Sequence, residues 1–249
     1  MKIYVDDSAA ALGQRAADET AKRICETVEK RGECRLLLST GASQFPFFDA
    51  LTVKKYVPWD RVVMFHLDEF VGMADSHPAS FRRYLRERFV DKVRPKAYYF
   101  VNGEGDVQAN IAALTARLRE APIDIALIGI GENGHIAFND PPADFDSREA
   151  YRVVTLEERC RRQQLGEGWF ASLEEVPDQA VSMTVHQIMQ SRAILSVVPD
   201  ARKAEAISKT LRAPAVTNLI PATILREHPD WTLYLDRDSA SMVDESRLH

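Results

Sequence analysis

Two hydrophobic periods alternate along the chain. Runs that are apolar on both faces come at Arg35-Leu36-Leu37-Leu38-Ser39 and at Arg61-Val62-Val63-Met64-Phe65-His66-Leu67, and residues 123–130 form the most apolar run of all. Each has the length and β-branched or aromatic content of a buried strand. Further strands are predicted over 98–101, 151–154, 181–185, 194–198 and 231–235. Between them lie stretches of helical period. The first spans 9–28, with Asp7-Ser8 as cap candidates and Gly32 beyond its end. Others follow the first strand as far as about residue 55, then over 81–90, 106–120, 201–211 and 221–227. Strands buried on both faces and alternating with helices predict an α/β fold, a mostly parallel sheet with helices on both faces. No linker, repeat or low-complexity tract interrupts the pattern, so residues 1–249 are expected to form one domain.

In such a sheet, ligands bind in the loops beyond the carboxyl ends of the strands. Three of those loops carry the unusual residues of this chain: 39–43, 68–80 and 131–142. They would open on one edge.

Composition narrows the class of ligand. Among 249 residues, 28% are charged and the net charge is -5, so no basic face is expected for nucleic acid. A small anion would be held by a few local donors instead. The three cysteines, Cys25, Cys34 and Cys160, form no paired framework, and no apolar run has the length of a signal peptide or a membrane span. A soluble cytoplasmic protein is expected, with no membrane partner. His66 and His77 lack the spacing of a zinc motif.

Gly129-Ile130-Gly131-Glu132-Asn133-Gly134 follows a strand and matches the dinucleotide fingerprint on paper. That reading needs a helix directly afterwards, whose N-terminus receives the pyrophosphate. Here Pro141-Pro142 arrive within eight residues, and at least two β-α units precede the motif. The dinucleotide reading is therefore rejected.

The same loop, continued as His135-Ile136-Ala137-Phe138-Asn139-Asp140-Pro141, resembles the catalytic segment of the glucosamine-6-phosphate deaminase family. Phe65-His66-Leu67-Asp68-Glu69-Phe70-Val71-Gly72 resembles its acidic loop, Leu38-Ser39-Thr40-Gly41-Ala42-Ser43 its phosphate-gripping loop, and Arg202-Lys203-Ala204 its later lysine. Order and spacing agree from about residue 35 to residue 236. The resemblance implies a Rossmann-like domain that acts without metal or nucleotide on a phosphorylated amino sugar, as a monomer or a homo-oligomer. The reaction implied is glucosamine 6-phosphate plus water to fructose 6-phosphate plus ammonia. It assigns catalysis to Asp68, His135, Asp140 and Asn133. It assigns the phosphate to Ser39, Thr40, Gly41, Ala42, Ser43 and Lys203, with Arg161 as the nearest arginine, and adds Glu69 and Gly134 to the substrate contacts. Taken singly, Asp68 reads as a solvated loop residue, His135 as a loop histidine bonded to backbone, and Lys203 as a surface charge; the family context is what singles them out.

Two positions depart from the family pattern. Asn133 stands where many members have aspartate, and Asp140 where glutamate is usual. The nearest rival is 6-phosphogluconolactonase, whose loop usually continues Thr-Ala-Ser-Leu-Phe-Pro and whose Asp-Glu is usually followed by arginine. Phe70 stands at that position here. A sugar-phosphate sensor coupled to transcription would carry a basic helix-turn-helix, and none is visible. A non-catalytic sugar-phosphate-binding regulator remains the second alternative. Some family members are hexamers activated by N-acetylglucosamine 6-phosphate through serine, arginine, lysine and threonine residues just past the catalytic loop. The corresponding stretch here has Ala143 for the serine and carries Asp144, Asp146 and Glu149, so no such activation is expected.

Overall fold

The computed structural model describes residues 1–244. Among the described residues, ten strands form two sheets: β1 Lys2–Asp6, β2 Cys34–Leu38, β3 Val62–His66, β4 Asp68–Phe70, β5 Ala97–Tyr99, β6 Ile125–Leu127, β7 Tyr151–Thr155, β8 Gln179–Met183, β9 Ala193–Val198 and β10 Trp231–Asp236. The main sheet has seven strands in the order β1-β10-β9-β6-β2-β3-β5, and every pairing in it is parallel.

Alternation along the strands divides the core. Leu37, Val63, Phe65, Ala126 and Ile194 face one layer, built from the helices Val107–Leu118, Val185–Met189 and Ala204–Arg212. Their sequence neighbours Leu36, Leu38, Val62, Met64, Ile125 and Leu195 face the helices Ala9–Arg31 and Phe45–Thr52 on the other side. Every residue of β2, β3 and β9 is buried. Burying a large apolar side chain is worth about 1.5–3 kcal/mol, so these central strands carry the core. The long first helix is capped as its sequence predicts: the Ser8 hydroxyl accepts from the Ala11 N–H, and the chain turns left-handed at Gly32.

Strand order places the site. From β2 the main sheet continues to β3 on one side, and from β6 to β9 on the other, while β2 and β6 pair directly. A crevice opens beyond the carboxyl ends of adjacent strands whose crossovers leave in opposite directions.

Four features differ from the sequence reading. β1 is an added edge strand, mostly exposed, so it lacks a buried strand's pattern. β7 and β8 lie outside the main sheet and form a small antiparallel sheet with β4. The predicted strand over 181–185 ends at Met183, because the Thr184 hydroxyl accepts from the Gln187 N–H and opens a helix. A helix at Glu158–Gly166 has no apolar stripe; it buries Cys160 and Gln164. Among the described residues, no helix is long and apolar enough to cross a membrane.

Candidate active site

Beyond β2, β3, β6 and β9 the chain surrounds an open cleft. Its walls include Ser39 to Ser43, Leu67-Asp68, Gly129 to Glu132, His135 and Lys203. The crevice at the strand-order reversal therefore collects the three loops singled out by sequence.

The 39–43 loop leaves β2 and turns at Gly41, whose φ of 102° lies where side-chain-bearing residues are rare. Tyr84 Oη donates to the Gly41 carbonyl at 2.9 Å, and Gln44 Nε2 donates to the Val197 carbonyl at 2.9 Å, tying the loop to β9. Ser39 Oγ is buried without a hydrogen-bond partner, a donor left over beside the cleft.

Asp68 opens β4 and pairs in register with Ser182 of β8. The same Ser182 accepts the Phe138 N–H at its Oγ (3.0 Å), and Asn139 Nδ2 donates to the Met183 carbonyl at 2.9 Å. The small sheet thus fixes the acidic loop and the glycine-rich loop against one another. Burial, with the Glu69 charge adding to it, pushes the Asp68 carboxyl up to about 8.

Glu69 was expected at the substrate and lies elsewhere. Neighbouring residues of a strand face opposite sides, so only one of the two carboxylates can face the cleft. Glu69 is fully buried and accepts from Ser80 Oγ (2.8 Å) and from the N–H groups of Phe70, Phe81 and Arg82 (3.0, 3.2 and 3.0 Å). It is a cap that holds the 71–80 loop onto the helix Phe81–Leu85.

In the glycine-rich loop, His135 Nδ1 stands 3.1 Å from Asp140 Oδ1. Asn133 joins the pair at both ends: its Nδ2 donates to Asp140 Oδ1 (3.0 Å), and its Oδ1 accepts the His135 N–H (3.0 Å). An aspartate at 133 would set a second carboxylate against Asp140, so the amide suits its neighbour. Burial raises the Asp140 carboxyl, but His135 and the Asn133 amide together hold it below its usual range. With Nδ1 beside a carboxylate, the other ring nitrogen is the one available for proton exchange with a molecule in the cleft. Gly131 makes room for the ring, since a Cβ there would meet three imidazole atoms at 2.2–2.5 Å. Asn133, Gly134 and Asp140 do not themselves line the cleft. Gly134 instead donates to the Gly131 carbonyl at 3.0 Å in a left-handed turn. Among the described residues, His135, Asp140 and Cys160 form the one group of three donors with metal-like spacing, all within 4.8 Å; burial pushes the Cys160 thiol well up, toward its protonated form.

Lys203 ends a 3-10 turn after β9 and is buried, which lowers its ammonium from the usual lysine value. Arg161, the expected arginine, is spent on backbone: its Nη2 donates to the Leu173 and Val176 carbonyls at 2.6 and 2.8 Å. The arginine that lines the cleft is Arg202. It stood in the motif that marked Lys203, but a helix-start signal cannot tell which of two adjacent cations turns inward. Glu132, Gln163, Gln164 and Glu167 also line the cleft, the last three brought there by the unexpected helix Glu158–Gly166 and its end.

Known proteins resemble this chain over most of its length. A family described as glucosamine-6-phosphate isomerases/6-phosphogluconolactonase matches residues 7–234. A glucosamine-6-phosphate deaminase of Listeria monocytogenes is 36% identical over 228 residues, 90% of this chain and 95% of that one. The Lactobacillus delbrueckii protein of the same name is 31% identical over 247 residues, 98% and 100% of the two chains. The solved structure of a monomeric glucosamine-6-phosphate deaminase superposes with a TM-score of 0.88 at 30% identity, covering 97% of this chain and all of that one. A 6-phosphogluconolactonase of Shewanella baltica, with TM-score 0.78 at 19% identity over 95% and 97% of the chains, shares the fold. The chain belongs to the glucosamine-6-phosphate isomerase/6-phosphogluconolactonase family.

Proposed function

We propose that the protein is a glucosamine-6-phosphate deaminase, converting glucosamine 6-phosphate and water into fructose 6-phosphate and ammonia. The observation that carries this reading is one cleft in which the carboxyl of Asp68, His135 with Asp140 behind it, and the buried Lys203 all meet. Phosphate is gripped by Lys203 and the hydroxyl and backbone donors of Ser39 to Ser43. His135, steadied by Asp140 and Asn133, moves the proton that opens the sugar ring. Asp68 takes the proton from C2 and returns it to C1. That shift turns the 2-amine into an imine at C2, which water hydrolyses to the ketone and ammonia. All these groups come from one chain, and this reading includes a monomer or homo-oligomer working in the cytoplasm.

The lactonase alternative is separated by substrate. The expected kcat/KM for glucosamine 6-phosphate exceeds that for 6-phosphogluconolactone; the reverse order would overturn the proposal. Replacing Lys203 with Ala should weaken inorganic phosphate and substrate together by about 1.5–3 kcal/mol, read as a rise in Kd and KM. An unchanged KM would remove Lys203 from the phosphate grip.

Regulation by N-acetylglucosamine 6-phosphate is not expected. The cavity beside 142–146 is lined by Asp144 and Asp146 and by no lysine, arginine or histidine. The nearby cations are engaged: Arg152 pairs with Asp144, and Arg148 contacts His186 at 2.6 Å. A phosphate arriving there meets like charge. Rate curves should be hyperbolic with or without the acetylated sugar; a sigmoidal curve made hyperbolic by it would contradict this.

A further inference from the structure

The phosphate end of the cleft holds more negative charge than an anion site requires. The carboxylates of Glu132 and Glu167 line the same cleft as Lys203 and Arg202. Both raise the pKa of Lys203 and of Arg202, so both act on the two cations. Glu167 follows the last turn of the helix Glu158–Gly166, its N–H donating to the Gln163 and Gln164 carbonyls at 3.1 and 3.3 Å. Its carboxylate lies over the phosphate loop: a methyl group on Gly41 would stand 3.9 Å from each Glu167 oxygen. Arg202 is held in place from behind. Asp200 Oδ2 accepts from its Nε and Nη2 at 3.1 and 2.8 Å. Asp200 itself has a φ of 89°, a region rare for residues with a side chain, and its N–H is gripped by both Asp236 oxygens at 3.2 Å.

We propose that Glu167 is the internal counter-anion of the phosphate site, and that Arg202, oriented by Asp200, is the second cation that receives the phosphate once Glu167 is displaced. A carboxylate and a phosphate cannot share the approach to Gly41 and Lys203 without strong repulsion. Entry of the phosphate therefore moves the end of the Glu158–Gly166 helix outward. The competition lowers affinity for every phosphate-bearing ligand, which keeps inorganic phosphate from blocking the cleft. Only the identity of the sugar in this inference rests on the deaminase reading; the phosphate exchange does not.

Calorimetric titration with inorganic phosphate and with fructose 6-phosphate tests it, at low salt and near neutral pH. Glu167→Gln and Glu167→Ala should each bind both ligands roughly three- to tenfold more tightly than the wild type. Arg202→Gln should bind both about tenfold more weakly, and adding Glu167→Gln to it should recover less than in the wild-type background. A residue that merely supports the fold would not tighten phosphate binding when removed. Both Glu167 variants binding phosphate no more tightly than wild type would overturn the proposal, whatever their melting temperatures. If the wild type makes no ammonia yet both variants tighten phosphate, the deaminase reading fails and this inference stands.

Discussion

Asp68→Asn should lower turnover at least about 10²-fold with little change in KM, and should raise the melting temperature. The first effect follows from removing the buried carboxyl that lines the cleft in the same loop cluster as His135 and is the base assigned to C2. The second follows from burial. The ordinary value for this carboxyl is 3.8, and the folded value lies up at about 8. Folding therefore favours the protonated form. The associated stability is fully present below about pH 4 and is lost as pH climbs toward 8, where the buried group must ionise. Asparagine never ionises, so the variant should melt higher than wild type at pH 8, by at least about 2–4 °C, and equally at pH 4. In the free wild-type enzyme kcat/KM should climb with pH to a plateau above about 8. A variant that melts lower at pH 8, or keeps normal turnover, would remove Asp68 from the role of buried base.

Gly131→Ala should be nearly as damaging through a different cause. Its Cβ would meet His135 Cε1 and Nε2 at 2.2 Å and Cδ2 at 2.5 Å. The ring cannot simply swing aside, because Asp140 stands at its Nδ1 and Asn133 holds its backbone N–H. Either the imidazole leaves that carboxylate or the loop shifts, so turnover should fall by about 10²-fold. Gly129→Ala is the control: its Cβ would meet only Gln44 Nε2, at 3.7 Å, and its loss should be far smaller. Equal turnover in the two variants would mean that the placement of His135 does not matter.

How far the sequence foretells this site depends on what each residue is bonded to. The central strands are legible because both of their faces are buried, which leaves unbroken apolar runs such as Leu36-Leu37-Leu38. β4 is not, since Asp68-Glu69-Phe70 places two carboxyl groups in a wholly buried strand, against ordinary strand composition. Missing that strand hides the opposite facing of Asp68 and Glu69, and with it the capping role of Glu69. The helix Glu158–Gly166 escapes for a related reason: Glu158, Arg159, Arg161, Arg162, Gln163 and Gln164 offer no apolar stripe, and it meets the glycine-rich loop through polar contacts such as Gln163 Oε1 accepting the Glu132 N–H at 3.1 Å. Arg161 and Arg202 were indistinguishable as lone cations until their partners were known: two backbone carbonyls for one, Asp200 and the open cleft for the other. The His135–Asp140–Asn133 cluster needed no tertiary information, because all three lie within eight residues of one loop.

Conversion of an amino-sugar phosphate into a ketose by a carboxyl base and a histidine is read from product stoichiometry. Glucosamine 6-phosphate is incubated with the wild type and with Asp68→Asn, and ammonia and fructose 6-phosphate are followed together. Equal molar amounts of both are expected from the wild type, formed at least about 10²-fold more slowly by the variant. Neither product from a wild-type protein that still binds the sugar phosphate, or equal rates from the two proteins, would contradict it.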